Sequence, residues 1–246
     1  MTGTELAIVL AAVVVGSTVK AITGMGLPLI SIPIAALFVD LDDAVVTIAL
    51  ANMLANGVLA VREREHLPET RDLPILAVAG VGGAIVGAIA FIRLPDEPLV
   101  IMLIVATVAY IVNFFARPDF RIEPARSKRF APIAGGVAGI FQGAIGISGP
   151  IVGSWIHSYR LSRGAHIVSV TSLFLVSGSA QFAVLVASGE LSGRVAPSLL
   201  ACIPVLAAIP LGTRIRDRVS SAGFDRAIIA MLCVSIVALS VKTFSG

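Results

Sequence analysis

Two segments decide how this chain folds, Lys20-Ala-Ile-Thr-Gly24-Met-Gly26-Leu-Pro28 and Gln142-Gly-Ala-Ile-Gly146-Ile-Ser148-Gly149-Pro150. They align without gaps at a spacing of 122 residues. Each ends a long apolar run, contains glycines that loosen the backbone, and restarts at a proline, which suits the first position of a helix. A similar order of apolar runs follows each segment. We therefore predict two repeats, residues 1–116 and 131–246, joined by a linker at 117–130.

The composition around these segments is typical of a membrane protein. Of the 246 residues, 57% are hydrophobic and 13% are charged, whereas soluble domains contain about half and a quarter. The apolar runs are too long and too unalternating for barrel strands, and open strands would leave backbone groups unpaired in lipid. We predict an all-α polytopic membrane protein. Its helical segments are expected at 5–23, 28–38, 42–61, 73–93, 98–116, 131–145, 150–160, 165–187, 196–213 and 223–243.

Two of these runs, 28–38 and 150–160, are short, since helices of that length extend only about 16 Å. Whether they cross the membrane or form re-entrant turns is left open. Either way each repeat contributes five segments.

The basic residues predict the orientation. All of them except Lys20, Arg93, Arg194 and Lys242 fall in breaks on one side of the membrane. Because cytoplasmic loops carry an excess of Lys and Arg, we expect the linker inside and both termini outside. An odd number of segments per repeat then inverts the second repeat, as in many secondary transporters. The N-terminus lacks the basic region of a secretory signal, so we expect its first apolar run to remain in the mature protein.

The breaks are the predicted substrate site. In inverted-repeat transporters, broken helices meet near the midplane, and their N-termini attract anionic groups. The backbone N–H groups after each break would form an anion-binding cradle. The alternative is that Gly and Pro only kink tightly packed helices. The candidate residues at the breaks are Gly24, Gly26, Pro28, Gly146, Ser148, Gly149 and Pro150.

Lys20 is the only Lys or Arg in the sequence that lies well inside a predicted span, and it comes one turn before the first break. A charge there is expected to face the bundle interior or a watery cavity, where it fits an anionic substrate. The alternative is that its side chain extends to the membrane interface. Its counterpart in the second repeat is Gln142, a neutral hydrogen-bond donor.

Other polar residues in the spans are weaker candidates. Hydroxyl donors lie within about a turn of the breaks, and two pairs at a spacing of four residues each occupy one helix face. All of them have the alternative role of bonding neighbouring helices. These residues are Ser31, Ser148, Ser154, the pair Asn52 and Asn56, and the pair Ser177 and Gln181. His157 and His166 flank a basic loop and could carry protons.

Enzyme motifs are absent from the sequence: there is no HExxH, GxSxG or Walker motif and no intramembrane Asp pair. Cys202 and Cys233 form neither a metal motif nor a disulfide framework. We therefore expect no enzymatic activity, no metal and no cofactor. The basic residues read as topology signals, so we expect contacts with membrane lipid and not with nucleic acid.

With its length, its acidic turn after the first short run and its two glycine–proline segments, the chain resembles the TauE/SafE sulfite exporter family, also called TSUP or DUF81. Gly24-Met-Gly-Leu-Pro28 after Lys20 and Gly146-Ile-Ser-Gly-Pro150 after Gln142 carry the resemblance. The resemblance implies a cytoplasmic-membrane transporter for a small sulfur-containing anion: sulfite, sulfoacetate or another organosulfonate.

The main hypothesis is a secondary carrier that exports its anion by alternating access. The alternatives are a passive anion channel, an uptake permease for another small oxyanion, and a non-transporting scaffold. The substrate, the direction and the coupling ion, proton or sodium, stay open. So does the formation of a homo-oligomer, for which the stretch Gly80-Val-Gly-Gly-Ala-Ile-Val-Gly87 allows close helix packing.

Overall fold

The computed structural model describes residues 1–116, 121–215, 229, 232–238 and 240–241. Within these residues the chain folds into α-helices and one 3₁₀ helix, Arg64–Glu69, with no strand. The helices are α1 Gly3–Thr23, α2 Leu27–Ala35, α3 Leu41–Arg62, α4 Leu73–Arg93, α5 Asp96–Ala116, α6 Pro124–Ile145, α7 Gly149–His157, α8 Arg163–Ala187 and α9 Val195–Ile215. The all-α polytopic membrane fold predicted from the composition is confirmed.

Among the described residues, five stretches are long and apolar enough to cross a membrane. They are Gly3–Ile22, Leu41–Arg62, Leu73–Arg93, Arg163–Ala187 and Val195–Gly212. Helix α6 begins at Pro124, before the apolar run predicted from residue 131. The prediction followed apolar residues only, whereas the first turns of this helix are basic and mostly exposed. The run predicted at 223–243 lies largely outside the described residues.

The two predicted short runs are helices of nine residues each, α2 and α7. Each begins one residue before its proline, at Leu27 and at Gly149. The prediction that proline is the first helical residue was therefore wrong by one position. A proline is still tolerated there, because N–H groups of the first turn have no partner within the helix.

Glycines make both breaks possible. Gly24 ends α1 with φ of 84° and Gly146 ends α6 with φ of 72°. Each donates its backbone N–H to the carbonyl four residues earlier, Lys20 O at 2.8 Å and Gln142 O at 2.9 Å. Positive φ values suit glycine, since it has no Cβ to clash with the backbone. Gly26, with φ of 114°, then starts α2.

Beyond its break, α2 folds back along α1, and the Ser31 hydroxyl donates to Ala12 O at 2.8 Å. Helix α7 returns along α6 in the same way, so that Ile122 N–H donates to Ser158 O at 3.3 Å. As helices, α2 and α7 are each only about 14 Å long, less than the roughly 30 Å hydrocarbon core. The chain thus forms two helical hairpins, α1–α2 and α6–α7.

The hairpins open at different ends of the molecule. At one end, Arg194 bonds Asp42 and Asp43, and the Met1 amine lies 3.7 Å from Asp43 Oδ2. These contacts join the beginnings of α1 and α3 to the turn before α9. We call this the Arg194 end.

The second set of contacts lies beyond the other end of α3. The Tyr159 hydroxyl donates to Asp72 Oδ2 at 3.1 Å, and the Ser162 hydroxyl donates to Glu69 Oε2 at 2.5 Å. They join the loop before α4 to the end of α7 and the start of α8. We call this the Asp72 end.

An offset of 122 residues relates the elements of the two halves. It separates Leu27 of α2 from Gly149 of α7, and Leu73 of α4 from Val195 of α9. It also exchanges the helix contacts: α4 packs on α6 as α9 packs on α1, and α4 packs on α8 as α9 packs on α3. Helices α3 and α8, which the offset exchanges, pack on each other in the middle.

Candidate functional site

The starts of α2 and α7 line one small cavity. Its volume is about 10 Å³, which leaves room for about one water molecule. A sulfite or sulfonate group is larger than water, so the cavity has to widen before such an anion binds. Its walls are Gly26, Pro28, Leu29, Asn52, Gln142, Gly146, Ile147, Ser148, Gly149 and Phe174. We call it the anion cavity.

Neither helix start carries a side-chain cap. Gly26 has no side chain, and Ser148 makes no capping hydrogen bond to the first turn of α7. The unpaired N–H groups of a helix start carry partial positive charge and bind anions. The cavity is therefore lined by the positive ends of two helix dipoles.

Lys20 lies behind one wall of this cavity. Its side chain is fully buried, and its Nζ has no hydrogen-bond partner among the described residues. The Nζ lies 5.4 Å from the centre of the Phe174 ring, over its face. Because Phe174 lines the cavity, this one ring contacts both the cavity and the Lys20 side chain.

A chain of hydrogen bonds fixes the opposite wall. The Ser148 hydroxyl donates to Gln142 Oε1 at 2.9 Å, and Gln142 Nε2 donates to Gln181 Oε1 at 3.3 Å. Gln181 Nε2 in turn donates to Gly143 O at 3.1 Å. Gln142 lines the cavity, but its amide is held by protein partners, and Gln181 lies behind it as a support.

Asn52 and Asn56 form a buried pair on α3. Asn56 Nδ2 donates to Asn52 Oδ1 at 3.1 Å and to Asn52 O at 2.8 Å. Asn52 lines the cavity, whereas Asn56 lies behind it, and Asn56 Oδ1 has no partner among the described residues. The carboxamide of Asn52 is thus held in place by its neighbour one turn along the helix.

Four predicted site residues lie away from the cavity walls. Ser31 faces α1, where its hydroxyl is bonded to Ala12 O, and the Ser154 hydroxyl donates to Pro150 O at 2.5 Å within α7. Gly24 packs beside Ile167. Pro150 is buried in the first turn of α7 outside the cavity lining.

Phe174, Leu29 and Ile147 line the cavity, although none was a sequence candidate. Leu29 and Ile147 adjoin the two motifs, so proximity to the breaks was an available signal. Phe174 lies on α8 and has no such signal, because an aromatic residue in an apolar span is ordinarily part of the core.

The arrangement is suited to binding a small anion. It offers two helix starts, one nearby ammonium group and fixed amides, and no Asp or Glu among its lining residues. Among the described residues, no group of three or more His, Cys, Asp and Glu side chains is placed to hold a metal ion. What the site supplies is positive electrostatic potential.

Comparison with known proteins bears on the same point. A comparison with curated proteins and with solved structures finds no match. The family model described as sulfite exporter TauE/SafE matches residues 8–239, nearly the whole chain. That family consists of sulfite and sulfur-anion transporters, not of enzymes, and the resemblance noted in the sequence is confirmed. The chain, a multi-pass membrane protein, belongs to the sulfite exporter TauE/SafE family.

Proposed function

We propose that this protein is a secondary carrier that exports sulfite, sulfoacetate or another organosulfonate across the cytoplasmic membrane by alternating access. One observation carries the proposal: the uncapped starts of α2 and α7 line a single cavity, with the Lys20 ammonium group behind it. This site is small and positively polarised.

The electrostatics favour an anion over a neutral or cationic substrate. Two helix starts contribute partial positive charge, and the Lys20 amine in its protonated form adds a full charge with no counter-ion among the described residues. An anion would supply that counter-charge, whereas a cation would meet repulsion from all three. Asn52 adds a polar contact for the oxygen atoms of the anion.

The arrangement of the halves favours a carrier over a fixed pore. The helix contacts exchange under the 122-residue offset, and one hairpin opens at the Arg194 end while the other opens at the Asp72 end. These features support two repeats of opposite orientation whose breaks meet between them. In such carriers, one bundle rocks against another around a fixed central site.

We propose that the Arg194 end faces the outside and the Asp72 end faces the cytoplasm. The loops at 62–72 and 160–164, which are rich in arginine, meet at the Asp72 end. The excess of basic residues in cytoplasmic loops supports this orientation. It also places the N-terminus outside, beside Asp43.

Flux of radiolabelled sulfite from proteoliposomes tests the proposal. We expect saturable flux that accelerates when unlabelled sulfite is present on the opposite side. Lys20→Ala is expected to lower the flux at least tenfold, because the cavity then loses its full positive charge. Lys128→Ala is the matched control, since Lys128 is exposed on α6, and its flux should equal that of the wild type.

Three results would overturn the proposal or part of it. Flux without acceleration from the opposite side would identify a passive channel. Wild-type flux in Lys20→Ala would remove the site from the mechanism. No flux of sulfite or any organosulfonate would leave a non-transporting protein.

A further inference from the structure

A second cavity adjoins the anion cavity and shares the Ser148 wall with it. Its volume is about 20 Å³, enough for one or two groups the size of water. It lies between α4, α6, α7 and α8. Its walls consist of Leu, Ile, Val and Ala side chains together with Gly80, Gly135, Gly139, Ser148, Trp155 and Ser177. We call it the side chamber.

The polar side-chain atoms around the side chamber already have partners within the protein. The Ser148 hydroxyl donates to Gln142 Oε1 at 2.9 Å, and the Ser177 hydroxyl donates to Leu173 O at 2.6 Å. Trp155 Nε1 donates to the Tyr159 hydroxyl at 2.6 Å. A polar or charged group entering the chamber would lose its hydration and gain no free donor in return.

Three glycines line the side chamber, and the 122-residue offset relates each of them to a larger residue. At the positions 122 residues away, Gly80 corresponds to Cys202, Gly135 to Val13, and Gly139 to Ser17. An added Cβ has room at Gly80, whereas at Gly135 and Gly139 it would lie within 2.5 Å of a backbone oxygen of α4, so these two glycines let α4 and α6 pack closely beside the chamber. Because the exchanged positions hold larger residues, the two sides of the anion cavity differ. Such an asymmetric site suits an asymmetric ligand.

We propose that the side chamber binds the uncharged organic tail of a short alkanesulfonate whose sulfonate group occupies the anion cavity. This inference rests on the proposed function and narrows its substrate class. The free energy falls when a methylene group moves from water into a dry apolar space. The carboxylate of sulfoacetate, in contrast, would be buried there without a hydrogen-bond partner. The preferred substrate has one charged head and an apolar tail.

Competition against radiolabelled sulfite flux in proteoliposomes tests this inference, with methanesulfonate, ethanesulfonate and sulfoacetate as competitors. The half-inhibitory concentration of ethanesulfonate should be about fourfold below that of methanesulfonate, the factor expected for burying one methylene group. Sulfoacetate should inhibit less than either. This series uses the wild-type protein and depends on no variant.

A variant tests whether the side chamber is responsible. In Gly80→Ala the added Cβ would lie 3.7 Å from Gly135 O and 3.9 Å from Ser177 Cβ, which are ordinary contacts, so the chamber shrinks without a clash. We expect the fourfold preference for ethanesulfonate over methanesulfonate to fall to about one. Gly82→Ala is the matched control on the same helix, because nothing lies within 4 Å of its added Cβ. That variant should keep the preference.

The outcomes separate this inference from the proposed function. Equal inhibition by the two alkanesulfonates, stronger inhibition by sulfoacetate, or an unchanged preference in Gly80→Ala would overturn the side chamber as a tail site. Saturable sulfite flux in the same experiment would leave the proposed function standing. Absence of flux for every sulfur anion would overturn both.

Discussion

The Lys20 amine lies in a place where the described protein offers only an aromatic ring beside it. A protonated amine buried without an ion-pair partner lowers the stability of a fold. The position of Lys20 therefore agrees with a ligand that supplies the missing negative charge. The same reasoning predicts opposite effects of a substitution on stability and on transport.

Lys20→Met tests these opposite effects. Methionine has a similar length and no charge, so the fold should unfold at the same temperature or a few degrees higher, while sulfite flux falls at least tenfold. Thermal unfolding in detergent and proteoliposome flux are the two measurements. Lys128→Met, at an exposed position, should change neither. A clear drop in unfolding temperature for Lys20→Met would mean that the ammonium group stabilises the fold.

A second residue-scale prediction concerns pH. His66 Nδ1 lies 2.7 Å from Glu69 Oε1, and this hydrogen bond is the largest cause that raises the pKa of His66 above its ordinary value. A raised pKa means that the pair stabilises the fold fully below the ordinary histidine pKa and ceases to do so as the pH rises through the folded value. Because the pair is exposed, the effect on stability is small.

NMR of labelled histidine checks this prediction directly. The pKa of His66 should lie above its ordinary value in the wild type and return toward that value in Glu69→Gln. An unchanged His66 titration in Glu69→Gln would show that Glu69 is not the partner in solution.

How far the site was predictable depended on the residue. The glycine–proline segments could be recognised in the sequence because backbone breaks in an apolar span are unusual. Lys20 could be recognised because a charge inside an apolar span is energetically costly. Ser31 and Ser154 lie outside the cavity lining, since a hydroxyl near the break says nothing about which carbonyl it bonds. Phe174 was missed because its role depends on which helix faces Lys20.

At the scale of elements, α4 and α6 form the closest contact between the two halves. A Cβ added to Gly87 would clash with the backbone of Ile140 and lie 2.8 Å from Ala144 N, and Gly139 and Gly143 face α4 just as tightly. The sequence alone did not decide whether the stretch Gly80–Gly87 packs within one protomer or between protomers. In the structure it packs on α6 of the same chain. Small residues let helix backbones approach in lipid.

Gly87→Ala is expected to destabilise the protein because the added methyl group forces α4 and α6 apart. Overpacking of this kind costs roughly 1–3 kcal/mol. Thermal unfolding in detergent should show a lower midpoint for Gly87→Ala, whereas Gly82→Ala on the open face of the same helix should match the wild type or exceed it. Equal midpoints for both variants would mean that the interface yields without strain.

The helices themselves were the easiest feature to predict, because span length and apolar composition fix where a helix can cross a bilayer. Their ends were harder. The segments 28–38 and 150–160 end early, at Ala35 and His157, and in the first of them the apolar residues Ala36, Leu37 and Phe38 continue beyond the helix. Their partners were not predictable either, since periodicity gives a face to each helix but does not say which other helix covers it.

At the scale of the whole molecule, the contacts at the two ends hold different parts of the halves together. At the Arg194 end, Arg194 ties the turn before α9 to the start of α3. At the Asp72 end, Tyr159 ties α7 to the loop before α4. We call the contacts of Arg194 with Asp42 and Asp43 one latch and the Tyr159–Asp72 hydrogen bond the other. The offset of 122 residues relates Asp72 to Arg194, so the two latches occupy corresponding positions. A carrier that opens at one end has to release the latch at that end.

Loss of either latch should therefore open the molecule on its own side only. The probe is Gly149→Cys with Cys202→Ser and Cys233→Ser, because Gly149 lines the anion cavity and has room for a side chain. In this background, Arg194→Gln should increase labelling by a membrane-impermeant thiol reagent several-fold in right-side-out vesicles. Tyr159→Phe, which loses its bond to Asp72, should do so in inside-out vesicles.

Arg93→Gln is the control for the lost charge, because Arg93 is exposed and predicted on the same side as Arg194; it should leave labelling unchanged. Ethanesulfonate at saturating concentration should protect Gly149→Cys in each case, since the anion and the reagent compete for one cavity. Labelling that rises equally from both sides in either variant would indicate a continuous pore. That result would contradict alternating access, since a carrier with one central site exposes it to one side at a time.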